Sequence, residues 1–448
     1  MQGDSRAFVQ TLIDAALQAA DPADAVRRNL RREGRHLLVG AYRYNLDRGR
    51  IFLLAAGKAA LSMGKAALEI LKQDVWAGVI ITKQIAPGNP RRYVADAGKR
   101  HNNLAVFEAG HPISDTGSLR ATASAIELLQ ETRPGDLCLC LISGGASALF
   151  TKPYLPLAEW QQLMQVLLDS GCTINELNCV RKQLDRVKGG GLAEIAAPAA
   201  TISLILSDVV GNPLDIIASG PTYPNLQSPG DALTVLHRYN VMDRVTPETW
   251  SVITQQLTDP RRATSLARFE DLEVKNVIVG DVRGAALAAT AAARSSGYRA
   301  TMLTAYLEGE ACEVGRIAAA LAKELAPGEL LVLGGETTVT VRGAGTGGRN
   351  QELALAAALG IAGFDNRVIA TFATDGEDGP TGAAGALVTG DTVFLARAQR
   401  LEPEAFLERN DSHTFFDMLA ETAGHDCLLR TGSTGTNVND LLFILHSP

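Results

Sequence analysis

No stretch of the 448-residue chain is long and apolar enough to span a bilayer without meeting charge or turn residues, which argues against a membrane partner. There is no basic arm, no Lys/Arg stripe and no aromatic interleaving, and the net charge is −7. Nucleic acid is therefore not an expected partner. None of the six cysteines (Cys138, Cys140, Cys172, Cys179, Cys312, Cys427) forms a CxxC pair. Scattered thiols in a chain of this size read as reduced and buried, as in a cytoplasmic protein. The first residues lack the apolar core of a signal peptide, and Asp4, Asp14 and Asp21 punctuate the pattern of an amphipathic surface helix. No tandem repeat or low-complexity tract is present.

Glycine is what the chain has in excess, with 43 residues gathered in short loops. Such loops let the backbone itself approach a ligand. Between them, apolar strand-like runs alternate with helical patterns: Ile51–Ala56, Gly78–Thr82, Leu104–Glu108, Leu137–Ser143, Thr201–Leu206, Val274–Gly280, Ala300–Thr304, Leu330–Gly334, Thr337–Arg342, Val368–Thr374 and Leu441–Leu445. This alternation predicts an α/β fold of two domains with mainly parallel sheets flanked by helices. The proline-bearing stretch after Asn225 suggests a junction. The expected division is an N-terminal Rossmann-like α/β domain over 1–240, a helical junction over 241–272 and a C-terminal α/β domain over 273–448, with the active site in the cleft between them. Ligands of open α/β sheets sit beyond the carboxyl ends of the strands, where most of the glycine loops fall.

Seven loops are candidates. Gly57-Lys58 follows a strand and opens a helix, where free N–H groups and a lysine suit an anion. It is not a Walker A loop, which needs a glycine five positions earlier and a hydroxyl after Lys58. Ser143-Gly144-Gly145-Ala146-Ser147 could converge N–H groups on phosphate or carboxylate oxygens, and it is not GxSxG. Arg181 and Lys188, seven apart, are read as one helix face. Asp208 ends a strand, where it could hold Mg2+ or orient a hydroxyl. Glu336 and the Arg349-Asn350 pair flank a GxGxxG at Gly343–Gly348, and an arginine at a helix start beside glycines grips anions. Asp375, Glu377 and Asp378 crowd one loop that a hard cation would neutralise, without EF-hand spacing. Thr431–Asn437 is a further hydroxyl-rich turn. His111, in Gly-His-Pro, could touch substrate or simply hold a turn. Each loop alone is equally read as a tight turn or a solvated face. Together they supply cations, backbone donors and metal acids, the parts that phosphoryl transfer needs.

The set AAGKAA, EAGHPISD, SGGASALF, VRKQL…KGGGLA, LSDVVGN…SGPT, GGETTVTV…GGRNQE, TDGEDGPTGAAGA and TGSTGTNVNDL resembles the glycerate 2-kinase family, in that order, from about residue 5 onward. The resemblance implies an N-terminal α/β domain and a C-terminal MOFRL-type domain. It implies transfer of the γ-phosphate of ATP, with Mg2+, to the 2-hydroxyl of D-glycerate to give 2-phosphoglycerate. Lys58 and Arg349 match the family's proposed active-site lysine and arginine. Ser433, where a proline is expected, and Thr151-Lys152 depart from the pattern. Some relatives carry the label hydroxypyruvate reductase, so an NAD(P)H-dependent reductase is the alternative, with the GxGxxG as its support. A phosphate-sensing module is a third class. The expected assignment is Lys58, Arg349 and Asp208 as catalytic; Gly57, His111, Ser143, Gly144, Gly145, Ser147, Arg181, Lys188, Glu336 and Asn350 as binding substrate or nucleotide; and Asp208, Asp375 and Asp378 as metal ligands. Partners are a small-molecule substrate and a nucleotide, and a homodimer is compatible.

Overall fold

The computed structural model describes residues 2–83, 103–259 and 269–448. The chain divides into two compact units. One comprises 22–207 and 212–279. It opens with an antiparallel meander of three short strands, β1 (Leu30–Glu33), β2 (His36–Val39) and β3 (Tyr42–Asn45). Its main sheet contains β4 (Ile51–Ala56), β5 (Val75–Thr82), β6 (Asn103–Glu108), β7 (Leu137–Ile142), β8 (Ala200–Leu206) and β9 (Val274–Gly280), in the order β6-β5-β4-β7-β8-β9. The pairs from β6 to β8 are parallel. Strands β4, β7 and β8 are buried at every position, as a sheet covered on both faces requires. The chain steps outward from β4 to β6, then restarts beside β4 with β7. That reversal makes the β4/β7 boundary the topological switch point, where such sheets open a crevice.

The other unit comprises 1–21, 208–211 and 280–448. Its sheet holds β10 (Arg299–Leu307), β11 (Glu329–Gly335), β12 (Arg367–Ala373), β13 (Gly385–Thr389), β14 (Leu428–Leu429) and β15 (Asp440–His446), in the order β10-β11-β15-β12-β13-β14. Only β10 and β11 pair in parallel; β15 lies antiparallel between β11 and β12. The expectation of mainly parallel sheets therefore holds for the first sheet and not for the second. A central strand is apolar on both faces whichever way it runs, so its pattern carries burial and not direction. Thr337–Arg342 is not a strand, contributing an isolated bridge between Glu310 and Thr338.

The domain limits also differ from expectation. The helix Gln2–Ala19 buries Val9, Leu12, Ile13 and Ala16 and packs on helix Val282–Ser295 in the C-terminal unit. The supposed junction belongs to the first unit instead. Val241, Ile253 and Leu257 join Trp160, Leu163, Leu167 and Val180 in one apolar cluster, and β9 extends the first sheet. Residues 260–268 of that stretch lie outside the described residues. Cys138 and Cys140 share one face of β7, as alternation requires, with sulfurs 3.6 Å apart. Among the described residues no helix is long and apolar enough to cross a membrane.

Candidate active site

At the switch point of the first unit, the loops after β4 and β7 are bonded together. Ser143 N–H donates to the Ala56 carbonyl (3.0 Å) and Lys58 N–H to the Gly144 carbonyl (2.8 Å). Helix Ala60–Leu71 has no side-chain cap of its own. Ser143 Oγ supplies one by accepting from Ala59 N–H (3.1 Å). Gly57, at φ 130°, leaves no room for a Cβ, which would overlap Ser143 Oγ and its carbonyl. Gly145 is left-handed (φ 85°), and a Cβ there would lie 3.0 Å from the His111 ring and 3.2 Å from Lys58 Cγ. Lys58, His111 and Gly145 thus converge. Burial first, then the charges of Lys58 and Lys83, push His111 down to about 4, so it is neutral at neutral pH and acts as a hydrogen-bonding ring, not a cation. Ser147 Oγ meets Ser219 Oγ at 3.0 Å, and Ser219 donates to Asn178 Oδ1 (2.9 Å).

In the other unit a second cluster forms where β11 and β12 end. Asp440, the first residue of β15, pairs with Gly335 on one side and Ala373 on the other. Arg349 opens helix Arg349–Ile361. Its Nε and Nη2 donate to Asp440 Oδ2 and Oδ1 (2.5 and 3.0 Å), and its Nη1 lies 2.7 Å from Glu336 Oε1. Asn439 Nδ2 donates both to Glu336 Oε2 (2.9 Å) and to the Asp208 carbonyl (2.7 Å). Asp208, Asn439, Glu336, Arg349 and Asp440 are therefore one bonded network. The Asp440 side chain is 10% exposed and that of Glu336 41%. The inner ion pair is fixed, and the outer one can exchange for a ligand anion. Burial raises Asp440 to about 6 against the opposing pull of Arg349. Burial alone would lower Arg349, but the bond to Asp440 and the charges of Asp440 and Glu336 hold it above its ordinary value.

The model of a domain of unknown function, DUF4147, matches residues 8–254, and that of the MOFRL family matches residues 329–440. The D-glycerate 2-kinase of Thermotoga maritima is 39% identical over 407 residues, covering 89% of this chain and 90% of that protein. The chain belongs to the glycerate 2-kinase family. The glycerate 2-kinase of Pyrococcus horikoshii is 36% identical, covering 99% of this chain and 97% of its own. The crystal structure of the Thermotoga maritima glycerate kinase matches 99% of this chain with a TM-score of 0.82, at 35% identity.

Within this glycerate 2-kinase family member, the structure gathers Gly57, Lys58, His111, Ser143, Gly144 and Gly145 in one unit, and Asp208, Glu336 and Arg349 in the other. The expectations for Lys188, Asn350 and Asp378 are corrected. Lys188 shares no helix face with Arg181, because that helix ends at Leu184. Lys188 is buried, and its Nζ donates to the carbonyls of Ala146 (3.1 Å), Phe150 (2.6 Å) and Ala218 (3.2 Å). All three donors are spent on the fold, where they brace the left-handed pair Ala218 and Ser219 (φ 54° and 62°). Burial lowers Lys188 to about 7. Lys188→Met is expected to cost the first unit about 3 kcal/mol, by orphaning those carbonyls, and to lower its melting temperature without changing KM for either substrate.

Asn350 is likewise structural, since its N–H and Nδ2 donate to Asp378 Oδ1 (2.9 and 3.3 Å). Asp378 is not a metal ligand for the same reason. Its other oxygen accepts from Gln351 N–H and Nε2 (2.9 and 2.8 Å), so the carboxylate caps the helix that Arg349 begins. The GxGxxG is a packing device and not a dinucleotide loop. Gly343 and Gly345 sit against the backbone of Arg409, and Gly348 against Asp378; β11 ends at Gly335 and does not run directly into it as a dinucleotide loop requires. Asp208, Asp375 and Asp378 do not form a three-acid set; among the described residues the group with that spacing is Glu310, Cys312 and Glu352. Sequence reasoning missed Asn439 and Asp440. The available signal was a carboxylate at the head of an otherwise apolar strand, which demands a buried partner.

Proposed function

We propose that the protein transfers the γ-phosphate of ATP to the 2-hydroxyl of D-glycerate, yielding 2-phosphoglycerate, in the cytoplasm, where its free thiols stay reduced. The observation that carries this reading is the bonded network from Asp208 to Asp440, built around the arginine that the family resemblance singles out. It supplies a fixed guanidinium, a displaceable carboxylate and an acid beside it. Phosphoryl transfer asks the protein mainly to position groups and neutralise charge.

Lys58 and Arg349 are assigned the charges of the substrate carboxylate and of the phosphoryl group in flight. The Ser143–Ser147 loop and the Gly57 helix start offer N–H groups to phosphate oxygens. Neutral His111 can hydrogen-bond an oxygen without adding charge. Asp208, held through its carbonyl by Asn439, is assigned the hydroxyl proton. Mg2+ takes oxygen donors, and the buried Oδ1 of Asn439 has no hydrogen-bond partner beside Asp208 and Glu336, so the donor set fits the ion. Asp208, with Asp375 as a second candidate, would hold it, and it would screen charge on the phosphate oxygens.

The test is incubation with D-glycerate, ATP and Mg2+, followed by enolase, which consumes 2-phosphoglycerate directly. Product that enolase accepts only after a mutase is added would mean the 3-hydroxyl is the acceptor and would overturn the assignment. A pH profile adds a second check. Below about pH 6 Asp440 gains a proton and stops bracing Arg349, so kcat should fall on the acid side with an apparent pKa near 6. Asp440→Asn should remove that limb and lower the plateau about tenfold.

A further inference from the structure

The first unit contains a cavity of about 490 Å3 beside the switch-point loop. Its walls include Pro112, which follows His111, and Ser147, two residues beyond Gly145. It therefore borders the segments that carry His111 and Gly145. The volume lies in the range of pockets that enclose drug-sized ligands, roughly 300–1,000 Å3, and far exceeds the needs of a three-carbon acid.

The lining is specific in character. Helix Leu157–Asp169 contributes three amides, Gln161, Gln162 and Gln165, together with Met164 and Leu168. Ile113 and Leu168 are large apolar side chains left 59% and 52% exposed. The amide Nε2 groups are bonded to Ser114 O, Arg244 O and Asp169 Oδ1, and the apolar faces left between them suit a flat heteroaromatic ring. Arg181 is the one charged residue of the lining. Among the described residues its hydrogen-bonding contact is the Met164 sulfur at 3.4 Å, a weak acceptor. The neighbouring Asp185 carboxylate is already taken by Thr151 Oγ1 and the N–H groups of Lys152 and Val187. Burial holds the Arg181 guanidinium below its ordinary value, a cost that an incoming anion would relieve. Two nearby lysines differ from it in this respect: Lys182 is bonded to Asp215 and Lys188 to carbonyls.

We infer that this pocket holds the nucleoside of the phosphoryl donor, with its first phosphate on Arg181 and the later phosphates running toward the Ser143–Ser147 loop. The inference rests on the kinase reading above and adds the location of the nucleotide. It makes Arg181 a nucleotide-binding residue and leaves the acceptor to other groups.

Calorimetric titration with ADP, in the absence of glycerate, tests the pocket without any turnover. Arg181→Met is expected to weaken ADP at least tenfold. Leu168→Glu, at an exposed wall position that leaves the fold intact, is expected to weaken it similarly by placing a carboxylate against the nucleotide. In steady state both variants should raise KM for ATP about tenfold and leave KM for glycerate within twofold. Unchanged ADP affinity in both variants, or a rise in KM for glycerate instead, overturns the assignment. A wild-type protein whose ADP binding depends on these residues but which never phosphorylates glycerate would sink the kinase reading while leaving the pocket in place.

Discussion

Replacing Arg349 by alanine is expected to lower kcat about a thousandfold, the scale of a transition-state arginine. The argument lies in how the side chain is held. Three of its N–H donors are engaged by Asp440 and Glu336, so its plane is fixed before any ligand arrives, and no reorganisation is needed at the moment of transfer. Alanine also strands the Asp440 carboxylate. A buried carboxylate that loses its partner costs roughly 3–5 kcal/mol, unless it takes up a proton, which its raised pKa already favours. The double variant Arg349→Ala/Asp440→Asn separates the two effects. It should recover most of the lost thermal stability and none of the lost kcat. Arg349→Lys should rescue poorly, because an ammonium cannot make the forked pair. Near-normal turnover in the alanine variant would remove Arg349 from the mechanism.

Lys58→Ala should reduce kcat a hundredfold or more, again with the fold intact. The loop has backbone and serine bonds that hold its shape. Lys58 is tied in through its own backbone N–H to Gly144, and Ser143 caps the helix that follows. What is lost is a positive charge at the mouth of a helix start, worth several kcal/mol where charge develops in a dry site. The neighbouring ring reports the loss independently of turnover. Lys58 is the second cause of the low His111 pKa, after burial. Its removal should raise that pKa from about 4 part of the way toward 6.5, as read by NMR titration. No movement would show that the Lys58 ammonium does not face His111.

The sequence made the first unit readable because each of its signals was local. Apolar runs such as Leu137–Ile142 could only be covered strands, and the loops behind them had to fall at strand ends. Glycines 57 and 145 were legible for the same reason, since each sits where a backbone turn meets another loop. The polar residues were harder. Lys58 and Lys188 both stand beside glycines, yet the first lies beside His111 and Gly145 at the switch point and the second bonds three carbonyls. Asp375 and Asp378 are three positions apart, yet only Asp378 spends its carboxylate on a helix start. A side chain that serves the fold and one that serves a ligand have the same composition; what distinguishes them is the distant partner. Asp440 was hidden because its partner, Arg349, is 91 residues away in the chain. The meander β1–β3 was missed because its strands are four residues long and largely exposed, too short for a period-two pattern to stand out.

The helix Gln2–Ala19 and the strand Asp440–His446 belong to the same unit. During synthesis the first emerges from the ribosome long before its docking partner, helix Val282–Ser295, and the sheet lacks a middle strand until β15 is made. At about 5–20 residues per second, the apolar stripe of Val9, Leu12 and Ile13 waits on the order of half a minute in the nascent chain. That interval is an opening for chaperone capture, and truncating the final strand should convert a transient exposure into a permanent one.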